Sequence, residues 1–306
     1  MILLAAAISL LLTQNVQSIS EPIVWDSHSG PMIQTSIPHD PNGPTYRLLD
    51  TCASRVSIEV HDPEASEPTE VQSSIQFHTM HMGFFASVLY TSSTNTTQIF
   101  PMSRLSRYAR VQGLSAWFFI SPRSFFSYLD SPGSMIPLHC NVRTEDPQTV
   151  DLVPDERDWK LMLVGGQELV IDSASLDIHL PETTANAILD EARVALRDAD
   201  VNFYQAEGNE ILIHDCNIAQ LDEVLPVLEF SFTNTDGQTF AISLSGREYL
   251  RPYASSHTVC RIGIVPTDTG SSTVRLGSSV FRKYIVGLNH SENKVFFCRA
   301  RDPLHA

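Results

Sequence analysis

Beyond Leu12 the chain has no apolar run approaching the ~18 residues that a membrane-spanning helix needs. The one long run, Ile2 to Leu12 (ILLAAAISLLL), is itself too short for a span. Polar residues follow it, with Val16 and Ser18 spaced like the small residues before a signal-peptidase cut. Residues 1–18 are therefore expected to be a secretory signal peptide, the alternative being a buried N-terminal strand or helix. Positive charge is scarce: 20 Lys and Arg face 35 Asp and Glu, for a formal charge of −15. A surface that negative repels phosphate backbones and anionic lipid, which argues against nucleic acid or a membrane surface as partner. Cysteine is sparse and odd in number, at five, so an oxidising compartment leaves at least one thiol unpaired within a monomer.

What is present suits a folded globule: hydrophobic residues are 42% and charged ones 18% of 306. That length permits one large β unit or two lobes of about 150 residues each. Asn95-Thr96-Thr97 and Asn289-His290-Ser291 are N-glycosylation acceptors. Short apolar or alternating runs read as strands: Tyr46 to Asp50, Val56 to Val60, Leu161 to Val164 and Glu168 to Asp172. Turn formers separate them, at Asp40 to Pro44, Asn234 to Gly237 and Asp268 to Gly270. Such punctuation indicates an all-β class. One helix is expected over Thr183 to Asp198, with Ala187, Leu189, Ala192, Val194 and Leu196 as its apolar positions. Pro63 to Thr69 reads as an exposed acidic loop, and Asn141 to Asp158 as the polar join between two halves.

Two passages stand out, Tyr46 to Ser54 (YRLLDTCAS) and Glu168 to Leu176 (ELVIDSASL). In each an apolar strand runs into Asp, then a hydroxyl residue, then a small one. An acid at the end of an apolar strand is costly unless hydrogen-bonded, and the neighbouring hydroxyl helps. Singly each is a common strand-ending turn; the pair suggests an internal duplication.

On these residues the chain resembles the pepsin-like aspartic proteases, which place an apolar strand followed by Asp-Thr/Ser-Gly-Ser/Thr once in each lobe. The resemblance implies a bilobal all-β fold with a few short helices and a trimmed first lobe. Its lobes would be residues 19–150 and 151–306. It implies Asp50 and Asp172 as the catalytic acids, with Thr51, Ser173 and Ser175 supporting the active-site loops. Val111 to Gly113 and Arg275 to Gly277 resemble the elements that thread those loops. Ser74 to Gly83 resembles the flap hairpin, so Phe77, His78 and Thr79 are expected to cover substrate. Leu180-Pro181, Cys216, Leu225 to Phe230, Tyr249 and Cys260 follow the order of the second lobe, whose disulfide would be Cys216–Cys260. Leu276 to Tyr284 and Asn293 to Val295 resemble its closing strands; the pairing among Cys52, Cys140 and Cys298 stays open, with Cys140–Cys298 as one choice. The implied chemistry is hydrolysis of an extended polypeptide by a water held between two carboxylates that share one proton. It needs no metal and no cofactor, and the protein is expected to act as a monomer.

The chain departs from that pattern in ways that suggest a second reading, a catalytically silent relative that binds peptides or proteins in the same cleft. Cys52 and Ala174 stand where each motif has Gly, a residue used where backbone passes close to a partner. Ala53 replaces a hydroxyl, Phe77 replaces a Tyr, and Asp50 and Asp172 lie 122 positions apart, fewer than usual.

Overall fold

Short apolar runs closed by turn residues pair as strands through most of the chain. The computed structural model describes residues 19–26, 30–37, 40, 43–52, 57–77, 83–92, 99–102, 116–129, 140–142, 145–153, 159–206, 209–216, 220–253, 258–267 and 270–301. Among these the architecture is mostly β, with four helices: α1 (Glu182–Asp198), α2 (Leu221–Val224), α3 (Gly246–Tyr249) and α4 (Ser279–Lys283). None is long and apolar enough to cross a membrane.

A six-stranded antiparallel sheet draws on both halves of the chain. Its order is Ile19–Pro22, Ser124–Leu129, Ala116–Ile120, Tyr284–Asn289, Lys294–Arg299 and Gln148–Asp151. Tyr284–Asn289 is buried at every position, which is why YIVGLN reads as a continuous rather than an alternating run. Gly287 lies opposite Phe119, and a Cβ on it would sit 2.4 Å from that ring, so the aromatic closes directly on backbone. Gln148–Asp151 corrects the expectation that 141–158 merely joins the halves. Its single core residue, Val150, is packed by pairing with Lys294–Arg299, a contact with no local signature.

In the N-terminal half, Gly30–Ser36 pairs with Thr45–Asp50, and Thr69–Phe77 with Gly83–Thr91. Residues 63–68 are mostly exposed, as their acidic, Pro-bearing composition implies. In the C-terminal half, Glu168–Ile171 runs parallel to Val274–Leu276, which also meets Ile178–Leu180 in antiparallel register. The Leu161 run ends as a strand at Met162, and Leu163 makes only an isolated bridge to Phe232. Asn234 to Gly237 closes the hairpin Leu228–Thr233/Thr239–Leu244, with Gly237 at φ 79° and its amide on Asn234 O. Helix α1 starts one residue earlier than expected. It turns Ala185, Leu189, Ala192 and Leu196 inward, leaving Ala187 and Val194 exposed. The segment Leu276 to Tyr284 is not all strand: Ser279–Lys283 is a helical turn on which Tyr284–Asn289 begins.

One apolar cluster runs through both halves, from Ile33, Leu49 and Phe118 to Trp159, Ile171, Phe281 and Phe297. Cys140–Cys298 and Cys216–Cys260 are at disulfide distance, each with Cα atoms 5.7 Å apart. Cys52 belongs to neither pair.

Candidate functional site

Each apolar strand drives its acid to the boundary of the core. Asp50 ends Thr45–Asp50 and Asp172 follows Glu168–Ile171; both are buried, at 8% and 5% exposure. The hydroxyl residues after them meet. Thr51 N donates to Ser173 Oγ at 3.0 Å, and Ser173 N donates to Thr51 Oγ1 at 2.9 Å. Each hydroxyl then donates across the seam to the strand of the other half, Thr51 Oγ1 to Ile171 O at 2.8 Å and Ser173 Oγ to Leu49 O at 2.5 Å. Both side chains have no exposure, so all four bonds lie out of water. Segments 122 positions apart are thereby fastened in a reciprocal arrangement, an Asp immediately before each fastening residue.

The carboxylates are held by the turns that follow them. Cys52 N donates to Asp50 Oδ1 at 2.7 Å; Ala174 N and Ser175 N donate to Asp172 Oδ1 at 3.1 and 3.3 Å. Neither Cys52 nor Ala174 adopts a positive φ, so the turns form without glycine. The Cys52 thiol points across the seam to Ile171 O at 3.1 Å, sharing that acceptor with Thr51.

The parallel neighbour of the Asp50 strand is Ile99–Pro101, in the register Leu48↔Ile99 and Asp50↔Pro101. Val111 to Gly113, expected to thread the first loop, lie outside the described residues. In the second half Val274–Leu276 runs parallel to Glu168–Ile171, and Asp172 N donates to Leu276 O at 3.0 Å. Gly277 is required there: a Cβ would lie 2.2 Å from Asp177 O and 2.6 Å from Ser175 O.

Two features of the site were not read from sequence. Arg275 Nη1 donates to Asp172 Oδ2 at 2.5 Å, an ion pair whose arginine side chain is 49% exposed. Ser175 does not turn its hydroxyl to Asp172: Oγ donates to Asp177 O at 3.1 Å and lies 3.1 Å from His179 Nε2. Beneath the loop, the buried Arg251 donates from Nε to Leu176 O at 2.8 Å and from Nη2 to Ser279 Oγ at 2.6 Å. Burial pushes its pKa well below the ordinary arginine value, with Arg282 adding repulsion. Arg261 pairs with both oxygens of Asp177, at 2.9 and 2.7 Å, closing the far side of the turn.

The remaining expected site residues are placed unevenly. Phe77 ends the first strand of its hairpin, with its Cα opposite Thr35. His78, Thr79, Ala53 and Asn95 lie outside the described residues. Asn289 corrects the glycosylation expectation: it is fully buried, and its Oδ1 accepts the Glu292 amide at 3.0 Å. A glycan on that side chain has no space in the folded chain. The acceptor triplet is a sequence pattern only, here overtaken by a strand end in the core. Among the described residues no group of three or more His, Cys, Asp or Glu side chains could hold a metal ion.

No protein-family model matches this chain, and no curated protein matches it.

Proposed function

We propose that the chain is a bilobal, pepsin-like aspartic endopeptidase that hydrolyses extended polypeptides between Asp50 and Asp172. The observation that carries this reading is the reciprocal set of hydrogen bonds between Thr51 and Ser173. It fixes two strand-ending acids at one seam, which a pair of unrelated turn aspartates would not need. In this reading Asp172 is the base. Both its oxygens already accept hydrogen bonds, Oδ1 from two amides and Oδ2 from Arg275, so it serves as an acceptor toward a bound water. Asp50 then carries the shared proton and delivers it to the substrate carbonyl. The reaction uses water and two carboxyl groups, without a covalent intermediate. The expected substrate is a strand-like segment with apolar residues at the cut, lying in the cleft between lobes. Secretion belongs to this reading, which the apolar run Ile2 to Leu12 and the two cysteine pairs at disulfide distance support.

A second reading has its own support. Arg275 lies half-exposed on Asp172 Oδ2, where a reacting water or carbonyl has to approach. A site so occupied suits a relative that binds peptides in the cleft and leaves them intact. An acid-pH cleavage assay on a mixed peptide library separates the two, comparing the wild type with Asp172→Asn. The endopeptidase reading expects cleavage that falls by at least about 1,000-fold in the variant, as for loss of an essential base. Equal, negligible turnover by both proteins leaves the binding reading.

A further inference from the structure

Val274–Leu276 and Ile99–Pro101 play matching parts, each parallel to the strand that delivers an Asp. The registers Val170↔Arg275 and Leu48↔Ile99 put Arg275 and Ile99 at equivalent positions. An apolar residue therefore satisfies this strand geometry, and nothing in the backbone calls for arginine. Arg275 is nonetheless there, with one nitrogen on Asp172 and 49% of its side chain exposed. Its cross-strand partner is His179, directly opposite in antiparallel register, so both side chains leave the same face about 5 Å apart at Cβ. The imidazole is held by the acid's own loop. Ser175 Oγ donates to Asp177 O at 3.1 Å and lies 3.1 Å from His179 Nε2, which sets the ring against that loop. A guanidinium and an imidazole thus share one face at the rim of the Asp172 loop, in a chain whose net charge is −15.

We propose that Arg275 and His179 form a subsite beside Asp172 that takes a carboxylate of the bound polypeptide. The proposal rests on the reading that peptides lie across Asp50 and Asp172. A guanidinium is planar and offers donors along more than one edge, so it can bridge two carboxylates at once. Arg275 holds Asp172 with Nη1 and turns the exposed part of its fork to the ligand. The ligand's carboxylate comes from an Asp or Glu side chain within the peptide or from a free C-terminus.

The test uses the full chain and fluorescent octapeptides with an apolar centre. Ala, Asp or Lys is placed at each position in turn, with the C-terminus either free or amidated. Binding is read by anisotropy and cleavage by mass spectrometry. The expected result is one position at which Asp binds about tenfold more tightly than Ala, with Lys weakest, in the amidated series. Dependence on the free terminus alone would assign the subsite to chain ends. Arg275→Ile should bring the Asp and Ala peptides together, and Arg275→Lys should retain only part of the difference. Should Arg275→Ile fail to unfold cooperatively, Arg275→Lys and His179→Leu decide, each being required to shrink the Asp-to-Ala ratio by about threefold or more. Equal binding of acidic and Ala peptides by the wild type, or an acid preference that survives Arg275→Ile, overturns the subsite. Acid-selective binding without cleavage keeps it and removes the endopeptidase reading, whereas cleavage without acid selectivity does the reverse. Failure to bind or cleave any peptide overturns both.

Discussion

Thr51 Oγ1 both accepts from the Ser173 amide and donates to the Ile171 carbonyl, at a position without solvent. Thr51→Val keeps the shape and leaves both groups buried without that partner. It should lower the unfolding free energy by about 1–3 kcal/mol, measured by urea titration. Ser173→Ala should cost a similar amount, and the double variant should depart from additivity, since both hydroxyls belong to one network. Tyr249 carries a pH-dependent term of its own. Its hydroxyl donates to Pro226 O at 2.7 Å in a fully buried site. Burial first, then the charges of Asp222, Glu191 and Glu248, push the phenol's pKa above its ordinary 10.0. The folded value exceeds the unfolded one, so this contribution is complete below pH 10 and is lost as pH rises beyond it. The stability difference between wild type and Tyr249→Phe should be flat to about pH 10, then move against the wild type by about 1.4 kcal/mol per pH unit. A flat difference at all pH values would mean that the phenol is not protected by the fold. At this scale the sequence disclosed the two acids and their hydroxyl neighbours, because strand, acid and hydroxyl are adjacent in the chain. Arg275 and the turned hydroxyl of Ser175 were illegible. The first pairs with a residue 103 positions away, and the second depends on His179 being set against it by strand register.

Gly277 shows what an element demands of one residue. It ends the strand Val274–Leu276, where the chain passes so close to the Asp172 turn that Ser278 N donates to Ser175 O at 2.6 Å. A methyl group would collide with two backbone carbonyls rather than with a movable side chain. Gly277→Ala should therefore lose about 3 kcal/mol or more in a denaturant melt, and displace the acid's loop with it. A loss below about 1 kcal/mol would show that the two segments can separate without cost. Elements with their own periodicity or punctuation were legible. Helix α1, the strands that lead to Asp50 and Asp172, and the turn at Gly237 each carry their signal within their own stretch of chain. Elements defined by a distant partner were not. Gln148–Asp151 has one buried residue and exists as a strand through Lys294–Arg299. Ile99–Pro101 is three residues long and pairs in parallel with Leu48 to Asp50.

The six-stranded sheet joins the two halves of the chain, since the N-terminal strand Ala116–Ile120 and the C-terminal strand Tyr284–Asn289 are direct neighbours within it. Cys140–Cys298 ties the same region across 158 positions, and Cys216–Cys260 ties the C-terminal half across 44. By loop-closure entropy the first should contribute about 5 kcal/mol and the second about 4, so Cys140→Ala with Cys298→Ala should be the more damaging pair in urea titrations. The seam and the C-terminal core also carry separate optical probes. Trp117 stacks on Phe119 and meets Phe296 edge-on at the seam, whereas Trp159 is fully buried against His290 at a ring separation of 3.8 Å. Because a single apolar cluster links the halves, neither can open without exposing surface belonging to the other. Variants retaining only Trp117 or only Trp159 should unfold with coincident fluorescence transitions, once each is referred to its own far-ultraviolet dichroism midpoint. Distinct transitions, with Trp117 released first, would mean that the shared sheet is a docking contact between two independently stable lobes. The reciprocal bonds of Thr51 and Ser173 would then have to be remade at each encounter of those lobes.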